Sequence, residues 1–167
     1  MKLTYFPFYG RAEPIRMLLS HKQIPYEEET VSFPDFAKLK SEGKLPFNQL
    51  PILEFEGRTY GQVRTMVRFL GKKHGYYPED AYAAYLADAM LDSLEDLIQK
   101  ITKPNQAKDD ATKKELFTKL VGEELPQHLK IIDRLVSEGG DSWHCVGYSM
   151  TVADFHLGAL ITSFITN

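Results

Sequence analysis

The chain predicts an α/β unit followed by an all-helical unit. Three observations carry that reading. Through residue 75, short alternating runs and amphipathic runs succeed one another in the order β-α-β-α-β-β-α. From residue 81 onward the apolar period is helical throughout. Between them GYYPED, residues 75–80, carries the Gly and Pro of a connection. The domains accordingly read as 1–75 and 81–167, with residues 76–80 as the linker.

KLTYF, residues 2–6, alternates and reads as the first strand. Residues 11–21 follow as a helix with Ala12, Ile15, Leu18 and Leu19 on one face. Pro14 falls in its first turn, where the missing N–H breaks no helical bond. YEEETVSF, residues 26–33, is strand-like and polar on one side, and residues 35–41 make a short helical segment at best. ILEF (52–55) and RTY (58–60) flank Glu56-Gly57 and read as a hairpin. A βαβ unit followed by a hairpin and a helix makes a mixed sheet with helices on it.

That closing helix lies in GQVRTMVRFL, residues 61–70, where Val63, Met66, Val67 and Leu70 recur at i, i+3, i+4 and i+7. It should begin near Gln62, yet no Ser, Thr, Asp or Asn stands there to satisfy the first N–H groups. A bare helix start beside Gln and Arg suits either water or an anion, which the free amides and the dipole favour.

In the second unit Tyr82, Tyr85, Leu86, Ala89, Met90, Leu94, Leu97 and Ile101 form one long stripe, with Asp88, Asp92, Glu95 and Asp96 largely on another side. Residues 109–137 give one long helix or two, with Pro126 kinking or breaking it. Residues 139–149 read as a loop. Thr151 and Asp154 then have the spacing of a capping box, opening a helix that runs to Asn167.

Composition excludes several classes of function. The 167 residues are 43% hydrophobic and 26% charged, an ordinary globular balance. A net charge of −3 argues against a nucleic-acid partner, which calls for a basic face. One cysteine, Cys145, permits neither an internal disulfide nor a thiolate cluster, and its place beside Trp143 suits a structural role. The start MKLTYFPFYG is too polar for a signal peptide, and no apolar run spans a bilayer, so a cytoplasmic protein without a membrane partner is expected. The five histidines show no close paired spacing, so no metal is expected.

Five motifs then fall in order over nearly the whole chain: KLTYF, GRAEPIR, PFNQLPILEFEG, GQ at a helix start, and VADF after a small polar cap. Together they resemble the glutathione S-transferase family. The tyrosine inside KLTYF, soon followed by GRAE, fits its sigma-like class. The resemblance implies a thioredoxin-like glutathione-binding domain plus an all-α C-terminal domain, with glutathione as co-substrate and a small hydrophobic electrophile as the second substrate. It implies a cytoplasmic homodimer with a detoxification role and no metal.

The resemblance also assigns residues. Tyr5 would donate from its hydroxyl to the glutathione sulfur and favour the thiolate, which attacks an electrophilic carbon. A free thiol has a pKa of about 8.5, so only a few per cent is ionised at neutral pH. Arg11 would orient that hydroxyl or support the thiolate electrostatically. Leu50-Pro51 matches a cis bond that presents the Leu50 backbone to the cysteinyl part of glutathione. Gln62 and Val63 match the Gln-Ser pair that holds the γ-glutamyl carboxylate, with the hydroxyl missing at Val63. Lys40 and Gln49 match positions at the glycyl carboxylate and nearby backbone. Phe36 stands where the class has tryptophan and cannot supply that indole N–H. Asp96 matches an acid reaching glutathione across a dimer interface, with Asp92 and Glu95 as acidic neighbours. Phe6, Phe8 and Ile98 match the electrophile pocket.

Family members continue past this point with further helices, so the chain reads as C-terminally short. Leu157, Leu160, Ile161, Phe164 and Ile165 are then expected to lack partners. Three functions fit: an active glutathione transferase or related glutathione-dependent isomerase, a glutathione-fold binding protein with little catalysis, and a structural module on the same fold.

Overall fold

The computed structural model describes residues 1–138 and 142–166, so the first part of the 139–149 loop and Asn167 lie outside the described residues. Four strands form one mixed sheet in the order β2-β1-β3-β4: β1 (Lys2–Tyr5), β2 (Glu27–Thr30), β3 (Ile52–Phe55) and β4 (Arg58–Tyr60). β1 runs parallel to β2, with Tyr5 opposite Thr30, and antiparallel to β3, with Leu3 opposite Leu53. The β3–β4 hairpin turns through Glu56 and Gly57, both at positive φ (49° and 73°), as a two-residue turn matching strand twist requires. β2 is exposed along its whole length rather than polar on one side. It is an edge strand, blunted by charge: Glu28 pairs with Arg16, and Glu29 with Lys2.

Helix α1 (Glu13–His21) is preceded by a separate 3-10 turn, Gly10–Ala12, so Arg11 lies before the helix. Helix α2 (Phe33–Ser41) is longer than the sequence suggested. Ser32 accepts from the Asp35 N–H and Asp35 reaches back, a capping box with Pro34 in the first turn. Helix α3 (Val63–His74) starts after Gln62, at φ 69° and without any side-chain cap, and ends on Gly75 in the left-handed conformation.

The second unit comprises α4 (Ala81–Thr102), α5 (Asp110–Lys119), α6 (Leu125–Glu138) and α7 (Val152–Leu160). A π-helical turn, Leu120–Glu124, joins α5 to α6 immediately before Pro126, so the chain is widened there rather than broken. The capping box of α7 is present, and Asp154 additionally accepts the Cys145 N–H at 2.7 Å. Cys145 itself is buried, which pushes its thiol pKa up and suits a structural residue.

The buried face of α4 is Ala87, Met90, Leu91, Leu94, Leu97 and Ile98. Tyr82, Tyr85 and Ala89 of the expected stripe are exposed. Their apolar character followed the helical period, but they fall outside the arc of α4 that is buried, on a helix that packs chiefly against α7. Helix α7 sits against α1, α3 and α4, binding the two units into one core that runs from Leu3, Ile15 and Met66 to Leu94 and Leu160. Gly71 permits the close approach of α3, since a Cβ there would collide with Val152. Tyr76, in the expected linker, is also built into this junction: its carbonyl accepts the Val152 N–H at 2.8 Å, and its hydroxyl meets His21 Nδ1 at 2.6 Å. The expectation for the last residues changes too. Leu160 is fully buried, Leu157, Phe164 and Ile165 pack against the core, and Ile161 is exposed.

Candidate functional site

Two clefts share Phe6 as a wall. The first, about 540 Å³, is lined by Phe6, Arg11, Phe36, Gln49, Leu50, Pro51, Gln62, Val63, Arg64, Glu95 and Gln99. Residues from six segments thus converge, and seven of the expected site residues are among them besides Phe6. The start of α3 faces this cleft with the N–H groups of its first turn free of helical acceptors. Gln62 Nε2 donates to Gln49 Oε1 at 3.2 Å, which aligns two amide side chains on one wall. Leu50–Pro51 is cis. Arg64 is tied to Asp92, and Arg68 donates to Asp88 at 2.6 Å and to Asp92 at 3.2 Å, so Arg64 is already engaged.

The second cleft, about 910 Å³, is lined by the 6–10 segment, Glu13, Arg16, Glu28, Ser163 and Phe164. Phe6 and Phe8 stack there with centroids 5.6 Å apart, and Phe8 is half exposed. Such an apolar, aromatic groove beside a polar one suits a small hydrophobic molecule.

Tyr5 lies between the clefts and lines neither: it is 5% exposed, edge-on to Phe6 and Phe8. Its Oη accepts the backbone N–H of Arg11 at 3.1 Å. Gly10, at φ 62°, is required in this turn, because a Cβ would sit 2.9 Å from Tyr5 Oη. Burial raises the Tyr5 pKa, opposed by the Arg11 N–H and by the charges of Arg11 and Arg16. Arg16 stands 5.7 Å from the ring centroid. The phenol is therefore neutral at physiological pH and retains its proton as a hydrogen-bond donor.

The expected role of Arg11 is divided. Its main chain meets the Tyr5 hydroxyl, while its guanidinium pairs with Glu95, 84 residues away, at 2.7 and 2.8 Å. Other expected site residues stand elsewhere. Lys40 is exposed on α2 and outside the cleft lining. Asp96 is exposed and borders a separate groove with Arg11, Lys100 and His128. Ile98 is 4% exposed and belongs to the core, off the aromatic groove.

Two residues gained importance only in three dimensions. Glu95 is the acid that holds Arg11, and His156 of α7 stands behind it. Burial pushes the His156 pKa down to about 4, with Arg64, Arg11 and Arg68 opposing and Glu95 favouring its charge. No spacing in the sequence links these residues. Among the described residues, no three His, Cys, Asp or Glu side chains are grouped to hold a metal ion, and no helix is long and apolar enough to cross a membrane.

Comparison with known proteins places this geometry. Residues 1–61 match the glutathione S-transferase N-terminal domain and residues 95–166 the C-terminal domain. Hematopoietic prostaglandin D synthase of Mus musculus is 33% identical over 164 residues, covering 98% of this chain and 79% of that protein. The structure of prostaglandin synthase D of Nilaparvata lugens superposes with a TM-score of 0.88 at 29% identity, over 96% of this chain and 79% of that one. Monomeric Na-GST-3, a glutathione S-transferase of Necator americanus, superposes at 0.83 with 29% identity, over 98% and 80%. With both domains matched and a third of its residues shared over nearly its whole length, the chain belongs to the glutathione S-transferase family.

Proposed function

We propose that the chain binds glutathione in the polar cleft and conjugates its thiolate to small hydrophobic electrophiles held in the aromatic groove. The observation that carries this reading is the uncapped start of α3, where Gln62, its partner Gln49, and the first free N–H groups face the same cleft as Leu50. A carboxylate placed there accepts charge-assisted hydrogen bonds and meets the positive end of the helix. In this reading Gln62 and the Val63 N–H hold the γ-glutamyl end, and the Leu50 backbone pairs with the cysteinyl part. Phe36 and Gln49 serve the glycyl end, Tyr5 donates to sulfur, and Phe6 and Phe8 shape the electrophile side.

Val63→Ser is expected to tighten glutathione binding roughly tenfold, since a hydrogen bond to a charged group contributes about 1.5 kcal/mol or more. The gain falls equally on ground and transition states, so KM drops and kcat holds. Calorimetry on both forms checks it; equal affinities place the carboxylate elsewhere.

A second reading, binding with little conjugation, draws on the burial of Tyr5 behind Phe6 and Phe8. Turnover with a generic aromatic electrophile separates the two. Two relatives are named prostaglandin synthases, so isomerisation on the same thiolate belongs in that assay. The reading includes a homodimer in which Asp96 faces the partner's glutathione, supported by its exposure on α4 and the prevalence of two-fold assembly. Light scattering is expected to give twice the chain mass at micromolar concentration, and a monomer, as named for Na-GST-3, removes Asp96 from the site.

A further inference from the structure

We propose that His156 is a positioning residue for Tyr5, acting through one buried water and the Glu95–Arg11 pair. The inference rests on Tyr5 being the donor to the thiolate. His156 is 2% exposed, and neither ring nitrogen meets a hydrogen-bonding partner among the described residues. Buried polar nitrogens are ordinarily bonded, to protein or to ordered water. The imidazole walls a cavity of about 10 Å³ together with Gly10, Arg11, Val63, Glu95 and Ile98. That is about the space one water needs, provided it has two or more polar partners. Here the imidazole N–H supplies a donor and the Glu95 carboxylate an acceptor.

Glu95 has the capacity for this bond. Its two oxygens accept Arg11 Nη1 at 2.8 and 2.7 Å, and Oε1 also receives Gln99 at 3.4 Å, leaving lone pairs for a water. The groups facing His156 are Arg11 from the 3-10 turn, Arg64 and Arg68 from α3, and Glu95 from α4. Burial keeps the imidazole neutral, with Glu95 favouring its charge and the three arginines opposing it. The chain of contacts then runs from His156 through water to Glu95, to the Arg11 guanidinium, and through the Arg11 main chain to Tyr5 Oη at 3.1 Å. Removing the imidazole frees Glu95 on its buried side and loosens the turn that aims the phenol.

The test titrates the thiolate absorbance of bound glutathione in the full chain, in His156→Leu, His156→Gln and Tyr5→Phe. The expected result is a thiol pKa raised by about half a unit in His156→Leu and returned toward the parent in His156→Gln, which keeps a neutral donor and acceptor. An unchanged pKa in His156→Leu, alongside a raised one in Tyr5→Phe, overturns the role of His156 alone. No change in Tyr5→Phe overturns the Tyr5 reading and this inference with it. A His156→Leu chain that fails to fold leaves the decision to the imidazole ¹⁵N–¹H signal of the parent protein. An exchange-protected ring N–H showing a cross-peak to a bound water supports the relay, and a rapidly exchanging one overturns it.

Discussion

Tyr5→Phe is expected to return the thiol pKa of bound glutathione to about 8.5, its ordinary value, and to lower kcat/KM roughly ten- to a hundredfold. The effect is large because the Tyr5 hydroxyl is neutral and is held in place by the Arg11 N–H of the turn at Gly10–Ala12. The substitution keeps the ring, which packs edge-on between Phe6 and Phe8. What it removes is the oxygen that accepts the Arg11 N–H, so a stability loss of about 1–3 kcal/mol accompanies the kinetic one. Thiolate absorbance, read with thermal unfolding of both forms, checks the pair of effects. A shifted pKa in a variant that still unfolds cooperatively, with its melting transition lowered by no more than that loss, assigns the proton donor, and an unshifted pKa removes Tyr5 from the mechanism.

Acid should destabilise the protein through His156. In the native state this imidazole stays neutral until about pH 4, whereas an unfolded histidine protonates near 6.5. Between those values the unfolded chain binds the extra proton, so stability is fully present above 6.5 and falls as pH drops toward 4. The loss is roughly 3 kcal/mol, at 1.36 kcal/mol per unit of pKa difference. His128 and His74 are lowered in the same direction by burial, so they add slope of the same sign. Urea unfolding between pH 4 and 7 is expected to be flatter in His156→Leu than in the parent, although not flat. Parallel curves for the two forms would mean that the native imidazole titrates as it does in water.

The uncapped start of α3 was legible in the sequence because a cap is a local matter: the residues that would supply it lie within one turn, and none is of the right type. The same holds for the α7 capping box, the Glu56-Gly57 turn and the order of strands and helices, each governed by contacts a few residues long. Local periodicity misled at α4, where Tyr82 and Tyr85 kept the helical spacing yet stand in solvent, because the buried arc is chosen by where α7 arrives. It also undervalued Ser32 and Asp35, whose capping box starts α2 at Phe33.

The chain by itself therefore determined the two units, the candidate cleft residues Gln49, Leu50, Pro51, Gln62 and Val63, and the missing hydroxyl at the α3 start. Tertiary structure decided that Arg11 spends its guanidinium on Glu95 and its main chain on Tyr5, that Tyr5 is sealed between two clefts, and that His156 is buried behind them. The reason is physical. Backbone caps and turns are set by neighbours in sequence, whereas an ion pair spanning 84 residues and a protonation state set by burial exist only once the two units have packed.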